Sequence, residues 1–360
     1  MPISKIPSAG FQDNVKFRNI IINGDMSIAR RATSASSLTS SGYHTVDRFR
    51  TRLGSIGTWT QSQSTDVPTG QGFATSLKMD CTTANASPSA AAALSIQHKI
   101  EGQNVQYLKK GTSSAESTTL SFWVKSNKTG TYIAELFDND NQRQISQTYT
   151  ISSANTWEKK TLTFAGDTTG ALGNDNGNSF LVEFWLGAGS NYTSGTLNTS
   201  WNSNTNTNRV VGSVNLADST DNEWYITGVQ LEAGEVASDF EFLPHDVNLQ
   251  RCRRYYQLIA SGTNKAIGDG GAYSDSNVWV FVHTKPFRAT PSIDIVSGTN
   301  YYAFIGNNSS VNVNDVILEN NAHADVIRIA KTSGVSVSQG KAYFLNTNNS
   351  SAFIGFDAEL

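Results

Sequence analysis

Apolar and polar positions alternate in short runs along most of this chain, and Gly, Asn and Asp clusters separate the runs. Residues 120–125, 131–137, 157–164 and 180–186 show the pattern most clearly. Alternation with period two predicts strands with one buried face. The separators at 127–130, 138–141 and 166–177 read as turns and loops. Many short strands with regular turn signals predict an all-β sandwich. An apolar run at 19–25 predicts a strand stopped by Asn23-Gly24. Residues 94–100 are too few to separate strand from helix. In residues 224–234 the alternation puts Tyr225, Thr227, Val229 and Leu231 on one strand face, with Ile226 and Gln230 on the other.

The pattern changes at three places. Residues 187–208 hold four apolar side chains, Ala188, Tyr192, Leu197 and Trp201. They are expected to form a long surface loop that packs no element of its own, and such loops are usually functional or disordered. Residues 244–260 carry Leu249, Cys252, Tyr256 and Ile259 as a loose helical stripe and are expected to be a helical linker. Residues 261–360 return to strand-like runs at 277–283, 287–296, 301–305, 326–330, 341–345 and 353–360, which predicts a second, smaller β-sandwich. The expected organisation is an extended arm at 1–18, a sandwich at 19–243, the linker at 244–260 and a C-terminal β domain at 261–360. The arm has two prolines and too little apolar surface to fold alone.

Composition narrows the function. The chain has 360 residues, 16% of them charged, and a net charge of -3, with no basic stripe of the kind a nucleic-acid binder carries. Cys81 and Cys252 are expected to be buried, reduced thiols and not a disulfide framework. The first residues lack the apolar stretch of a signal peptide, and no apolar run approaches the length of a membrane span, so no membrane insertion is expected. No nucleophile elbow, zinc motif or phosphate loop occurs, so no catalytic residue, metal or cofactor is expected. Asp138-Asn-Asp-Asn141 opens like a calcium loop, but Arg143 and Tyr149 stand where glycine and glutamate are required; a hairpin turn fits better. No repeat of 20–50 residues marks a solenoid.

Alternation also picks out candidate binding residues. If Phe122, Val124, Leu136, Val182 and Phe184 face a core, the opposite faces carry Trp123, Glu135, Phe137, Glu183 and Trp185. Large aromatics are seldom left uncovered on an outer face. Three readings stay open: a glycan stacks on the rings, a sister subunit or a loop covers them, or the two glutamates form a glycosidase pair. On the glycan reading Trp123, Trp185, Tyr192 and Trp201 stack on sugar while Glu135 and Glu183 orient it. Phe137 shares that face. Binding by stacking would survive raised salt.

Several segments, taken in order, resemble tailed-phage virion proteins: "NIIINGD…YHTVDRF", "LSFWVKS", "TLTF-x-GD", "ITGVQLEAG", "RCRRYY", "RATPSIDI" and the closing "DAEL". The opening is also similar, more distantly, to galactose-binding-like carbohydrate-binding modules. The resemblance implies a jelly-roll first domain in a tail fibre, spike or head-appendage subunit, assembled in the host cytoplasm and working on the virion outside the cell. It implies a homotrimer held to other virion proteins through residues 1–18, non-enzymatic, contacting host-surface glycans. The alternatives are an adaptor that binds only virion neighbours and, third, an enzyme that degrades surface polysaccharide.

Overall fold

The structure is a computed structural model and describes residues 17–306, 308–319 and 326–360. Most of the arm at 1–18 therefore lies outside the described residues. The chain divides into two compact units between Leu243 and Pro244.

The described residues of the first unit hold thirteen strands: β1 (Ser34–Leu38), β2 (Gly42–Tyr43), β3 (Arg50–Gly54), β4 (Thr58–Ser64), β5 (Ser76–Thr83), β6 (Ala93–Glu101), β7 (Thr118–Ser126), β8 (Gly130–Asp138), β9 (Arg143–Ile151), β10 (Glu158–Phe164), β11 (Asn178–Ala188), β12 (Asn202–Ser203) and β13 (Glu223–Ala233). They form two antiparallel sheets, a six-stranded one in the order β1-β4-β5-β13-β7-β10 and a seven-stranded one in the order β12-β9-β8-β11-β6-β3-β2. Inward side chains of both sheets share one core. Phe184 of the larger sheet lies 5.0 Å from Phe122 and 6.2 Å from Trp224 of the smaller. Burying each such ring contributes on the order of 2 kcal/mol. The architecture is a jelly-roll sandwich. The ambiguous residues 94–100 are strand, because Leu94, Ile96 and Ile100 enter this core.

Two readings of the alternation are corrected. First, β13 is bulged between Thr227 and Gln230. Gly228 takes φ +62° there, and the extra residue inverts the faces downstream. Ile226, Val229 and Leu231 therefore enter the core, while Tyr225 and Thr227 lie off it. Second, residues 19–25 are not a strand. They thread onto that bulge: Ile20 N–H donates to the Leu231 carbonyl at 2.9 Å and Val229 N–H to the Gly24 carbonyl at 2.9 Å. The Asn19 side chain supplies further rungs, donating to the Val229 carbonyl at 3.0 Å and accepting from Leu231 N–H at 3.1 Å. A side chain at Gly24 would strike the Val229 carbonyl oxygen at 2.0 Å, so only glycine fits.

The first described residues join the same region. Phe17 and Asn19 donate their backbone N–H groups to the Glu241 carboxylate at 2.7 and 2.9 Å. The segment 138–141 is the hairpin turn between β8 and β9.

The second unit begins with helix α2 (His245–Arg253); the short helical turn in the first unit is α1 (Ser190–Thr193). The helix stops earlier than expected. Residues 256–260 belong to β14 (Tyr256–Ser261), so Tyr256 and Ile259 are not on a helical stripe. Aromatic and β-branched residues after Arg254 favour pairing, and β14 finds a partner in β23. The other strands are β15 (Ala266–Ser274), β16 (Asn277–His283), β17 (Ser292–Ile295), β18 (Tyr302–Gly306), β19 (Ser309–Val313), β20 (Ile317–Leu318), β21 (Val326–Lys331), β22 (Ala342–Thr347) and β23 (Phe353–Asp357). A three-stranded sheet, β14-β23-β17, and a seven-stranded one, β19-β18-β22-β15-β16-β21-β20, enclose a second core. Cys81 in the first unit and Cys252 in the second are both buried and form no disulfide. No helix among the described residues is long and apolar enough to cross a membrane.

Candidate functional site

The outer face of the seven-stranded sheet of the first unit is built as three cross-strand rows. The middle row runs Ser146, Glu135, Glu183, Gln97, Arg50 across β9, β8, β11, β6 and β3. On one side lies the row Gln144, Phe137, Leu181, Lys99. On the other lies Thr148, Ile133, Trp185, Ser95, Arg52. Sequence alternation correctly puts Glu135, Phe137, Glu183 and Trp185 on one face, and the register makes Glu135 and Glu183 direct neighbours.

The loop after β11 folds back over part of this face. It is not the unpacked surface loop expected at 187–208. Tyr192 and Leu197 pack with Val210 onto Ile133, Ala93 and Trp185. The Trp185 ring is fully buried, between Tyr192 at 5.4 Å and the guanidinium groups of Arg52 at 4.8 Å and Arg209 at 5.1 Å. Its indole N–H donates to Glu135 Oε2 at 2.8 Å. This tryptophan therefore offers no stacking face to a ligand; the chain's own loop covers it.

Arg209 enters from the loop as the counter-ion of both carboxylates. Its Nε and Nη2 donate to Glu135 at 2.9–3.1 Å, and Nη2 also donates to Glu183 Oε2 at 2.9 Å. Glu183 Oε1 further accepts from Gln97 Nε2 at 2.9 Å and Arg52 Nη1 at 3.3 Å. Burial pushes the Glu183 carboxyl up, but Arg209, Arg52, Ser95 and Gln97 outweigh it and hold it below the ordinary carboxylate range. Glu135 is raised, first by burial and then by the charge of Glu183, against the pull of Arg209. Buried ions matched in this way fix geometry more than they add stability.

Beyond the edge of the loop the face stays open. A groove of about 340 Å³ is lined by Phe137 and Leu181, by Gln97, Asn139 and Asn178, and by Arg50, Arg52, Lys99, Glu183 and Arg209. The polar side chains are pre-set: Arg50 Nη1 donates to Gln97 Oε1 at 2.8 Å, and Arg52 Nη2 to the Tyr192 hydroxyl at 2.8 Å. Chemically the groove offers planar amide and guanidinium donors above the neighbouring, largely buried Phe137 and Leu181, with the Arg209 guanidinium 4.9 Å from the Phe137 ring.

The remaining predicted site residues lie elsewhere. Trp123 is on β7, in the other sheet, so it does not share a face with Trp185. Half-buried, it lines a notch of about 320 Å³ with Phe73, Phe240, Phe242, Lys159 and Asp239. Phe73 and Phe242 lie 5.1 Å apart, and Phe240 and Phe242 4.8 Å apart. Trp201 is half-buried and fastened by its indole N–H to the Ala165 carbonyl at 2.7 Å. The Lys110 ammonium sits 5.1 Å from its ring. Tyr192 is half-buried and serves as cover for Trp185.

Sequence reasoning missed Arg50, Arg52, Gln97, Lys99 and Arg209. The first four had a signal: Arg50-Thr-Arg52 and Ser95-Ile-Gln97-His-Lys99 alternate with period two. Arg209 had none, since it comes from a loop. Among the described residues no group of three metal-capable side chains comes together.

No family model matches the chain, and no curated protein matches it. Solved structures do overlap it. The enzymatically active domain of tailspike protein 4 of bacteriophage CBA120 aligns at 17% identity and a TM-score of 0.32, over 60% of this chain and 22% of that one. A sugar-binding protein of Bacteroides thetaiotaomicron, itself named only as putative, aligns at 11% identity and a TM-score of 0.33, over 60% of this chain and 99% of that one. The carbohydrate-binding module TmCBM61, solved with β-1,4-galactotriose, aligns at 9% identity and a TM-score of 0.29, over 60% of this chain and 99% of that one. These are similarities to sugar-binding proteins and a phage tailspike domain.

Proposed function

We propose that the chain is a non-enzymatic subunit of a tailed-phage virion appendage, and that its first unit binds saccharide in the groove on the outer face of the seven-stranded sheet. The observation that carries this is the groove itself: an open channel whose planar donors are held by a buried Glu135–Arg209–Glu183 network before any ligand arrives. Preorganised donors lower the ordering cost of binding, and a hydroxyl-rich ligand needs many of them beside small apolar patches. The virion assignment is supported by the order of sequence segments from "NIIINGD" to "DAEL". On this reading the subunit is a homotrimer, attached to the particle through residues 1–18 and facing the host surface.

A hydrolytic role is disfavoured by the same geometry. Glu135 is fully buried and occupied by Arg209 and Trp185, and Glu183 is saturated by four donors. Neither carboxyl is placed to protonate a leaving oxygen. The adaptor reading draws on a separate feature, the aromatic notch around Trp123, where Phe242 is 50% exposed.

The test is binding of the labelled protein to bacterial cells susceptible to the parent phage, before and after surface glycans are oxidised with periodate or surface proteins are removed by protease. The saccharide reading expects binding to survive protease and vanish with periodate. Loss with protease alone, or binding to neither preparation of intact cells, overturns it.

A further inference from the structure

On the larger sheet of the second unit, β15 is irregular. Ala266 pairs with Asn346 of β22, but Gly268 pairs with Leu345, so Ile267 is an extra residue and β15 is bulged there. Ile267 turns into the core. Outward side chains on β15 therefore stop at Ala266 and resume at Asp269, and Gly268 between them has none. The result is an open depression of about 430 Å³ over Gly268, walled by Asp269, Ile305, Phe344 and Asn346. Phe344 is the cross-strand neighbour of both Asp269 and Ile305, and adjacent strands lie about 5 Å apart. The Phe344 ring is 63% exposed, and large apolar groups gathered on an outer face mark a contact site. Among the described residues the side chains of Asp269 and Asn346 make no hydrogen bond or ion pair. A carboxylate and an amide thus reach solvent beside a bare ring.

We infer that this depression binds an uncharged saccharide residue, as a second site independent of the groove in the first unit. The apolar CH face of a sugar ring covers Phe344. The Asp269 carboxylate accepts from two adjacent hydroxyls, and a charged acceptor makes the stronger hydrogen bonds. The Asn346 amide donates to one hydroxyl oxygen and accepts from another hydroxyl. The missing side chain at Gly268 leaves room for the ring to settle against the sheet. An anionic sugar is the wrong class, because the charged group of the lining is itself a carboxylate. A dry protein surface is the poorer occupant, because it would bury Asp269 without a counter-charge, whereas a polyol supplies donors to it. The stacking that alternation assigns to Trp185, which the loop covers, is open here on Phe344. Contacts of this kind carry little net charge and are weakly screened by salt.

The experiment is a printed array of bacterial surface saccharides, uncharged members beside amino-, uronate- and phosphate-bearing ones, probed with the full chain at about 50 and 500 mM NaCl. Uncharged hits are expected, changing less than about twofold between the two salts. Phe344→Ala and Asp269→Asn should each weaken them about tenfold, the effect of losing one good contact. Tyr273→Ala, exposed on the same strand but outside the depression, should leave them unchanged. Phe344 and Asp269 are exposed, so both variants should melt with the unmutated chain. Hits that both variants keep belong to the groove of the first unit; if every hit is of that kind, the second site is overturned and the saccharide reading of the groove stands. Hits confined to amino sugars and lost at the higher salt overturn the uncharged class. A Phe344→Ala chain that sediments as a smaller species than the unmutated one also overturns the inference, since the face would then be a contact between copies.

Discussion

Trp185 and Arg209 show what single residues do in this molecule. Trp185 fills the space between sheet and loop, so Trp185→Ala is expected to cost about 3–5 kcal/mol of stability, as for large aromatics in cores. Urea denaturation of the two proteins measures it; a loss below about 1 kcal/mol would mean that the ring is an accessible surface after all. Arg209→Ala strands two buried carboxylates and is expected to cost a similar amount. Asp167 has a pH signature. Burial pushes its carboxyl up, but hydrogen bonds from Arg143 and Lys110 outweigh that and hold it below its ordinary value of 3.8. Its contribution is therefore complete at neutral pH and is lost as pH falls through the lowered folded value. Asp167→Asn should destabilise by about 2 kcal/mol at pH 7. The gap to the unmutated chain should close in strong acid. A gap that stays constant down to pH 2 would contradict the ion-pair account.

Elements were legible where alternation ran unbroken, and illegible where it did not. β7, β8, β10 and β11 read directly from Leu120, Tyr132, Leu162 and Phe184 and their neighbours. Alternation says that a strand has two faces; it does not say which sheet the strand joins. That is why Trp123 and Trp185 were placed together although β7 and β11 lie in opposite sheets. The bulge in β13 was hidden for another reason. Gly228 in "ITG" looks like any strand glycine until its φ is known, and one extra residue exchanges the faces of everything after it. Gly228→Ala tests this. A side chain there is strained at φ +62° and would meet the Phe73 ring at 2.6 Å. The expected loss is about 1–3 kcal/mol, read by thermal melting; an unchanged melting temperature would mean the bulge is not required. The helix at 244–260 failed because Tyr256 and Ile259 keep helical spacing by coincidence while Tyr255-Tyr256 favour a strand.

At the scale of the whole molecule, the two units carry separate cores. The outer face of the larger sheet in the second unit keeps a row of exposed apolar residues, Ile305, Phe344 and Phe281, with Asp269 between the latter two. Exposed rows of this kind meet a ligand or another subunit, and the first is inferred above for Phe344 and Asp269; the trimer is tested apart from it. Sedimentation at micromolar concentration is expected to give a trimer, and a clean monomer would contradict that part of the account. The central claim concerns the first unit, and one titration addresses it most directly. Calorimetry with the strongest array saccharide that Phe344→Ala still binds would compare the unmutated chain, Gln97→Ala in the groove and Phe242→Ala in the notch. The account predicts that Gln97→Ala binds at least tenfold more weakly while Phe242→Ala binds as the unmutated chain does. Binding lost in Phe242→Ala and kept in Gln97→Ala would contradict it and move the site to the opposite sheet.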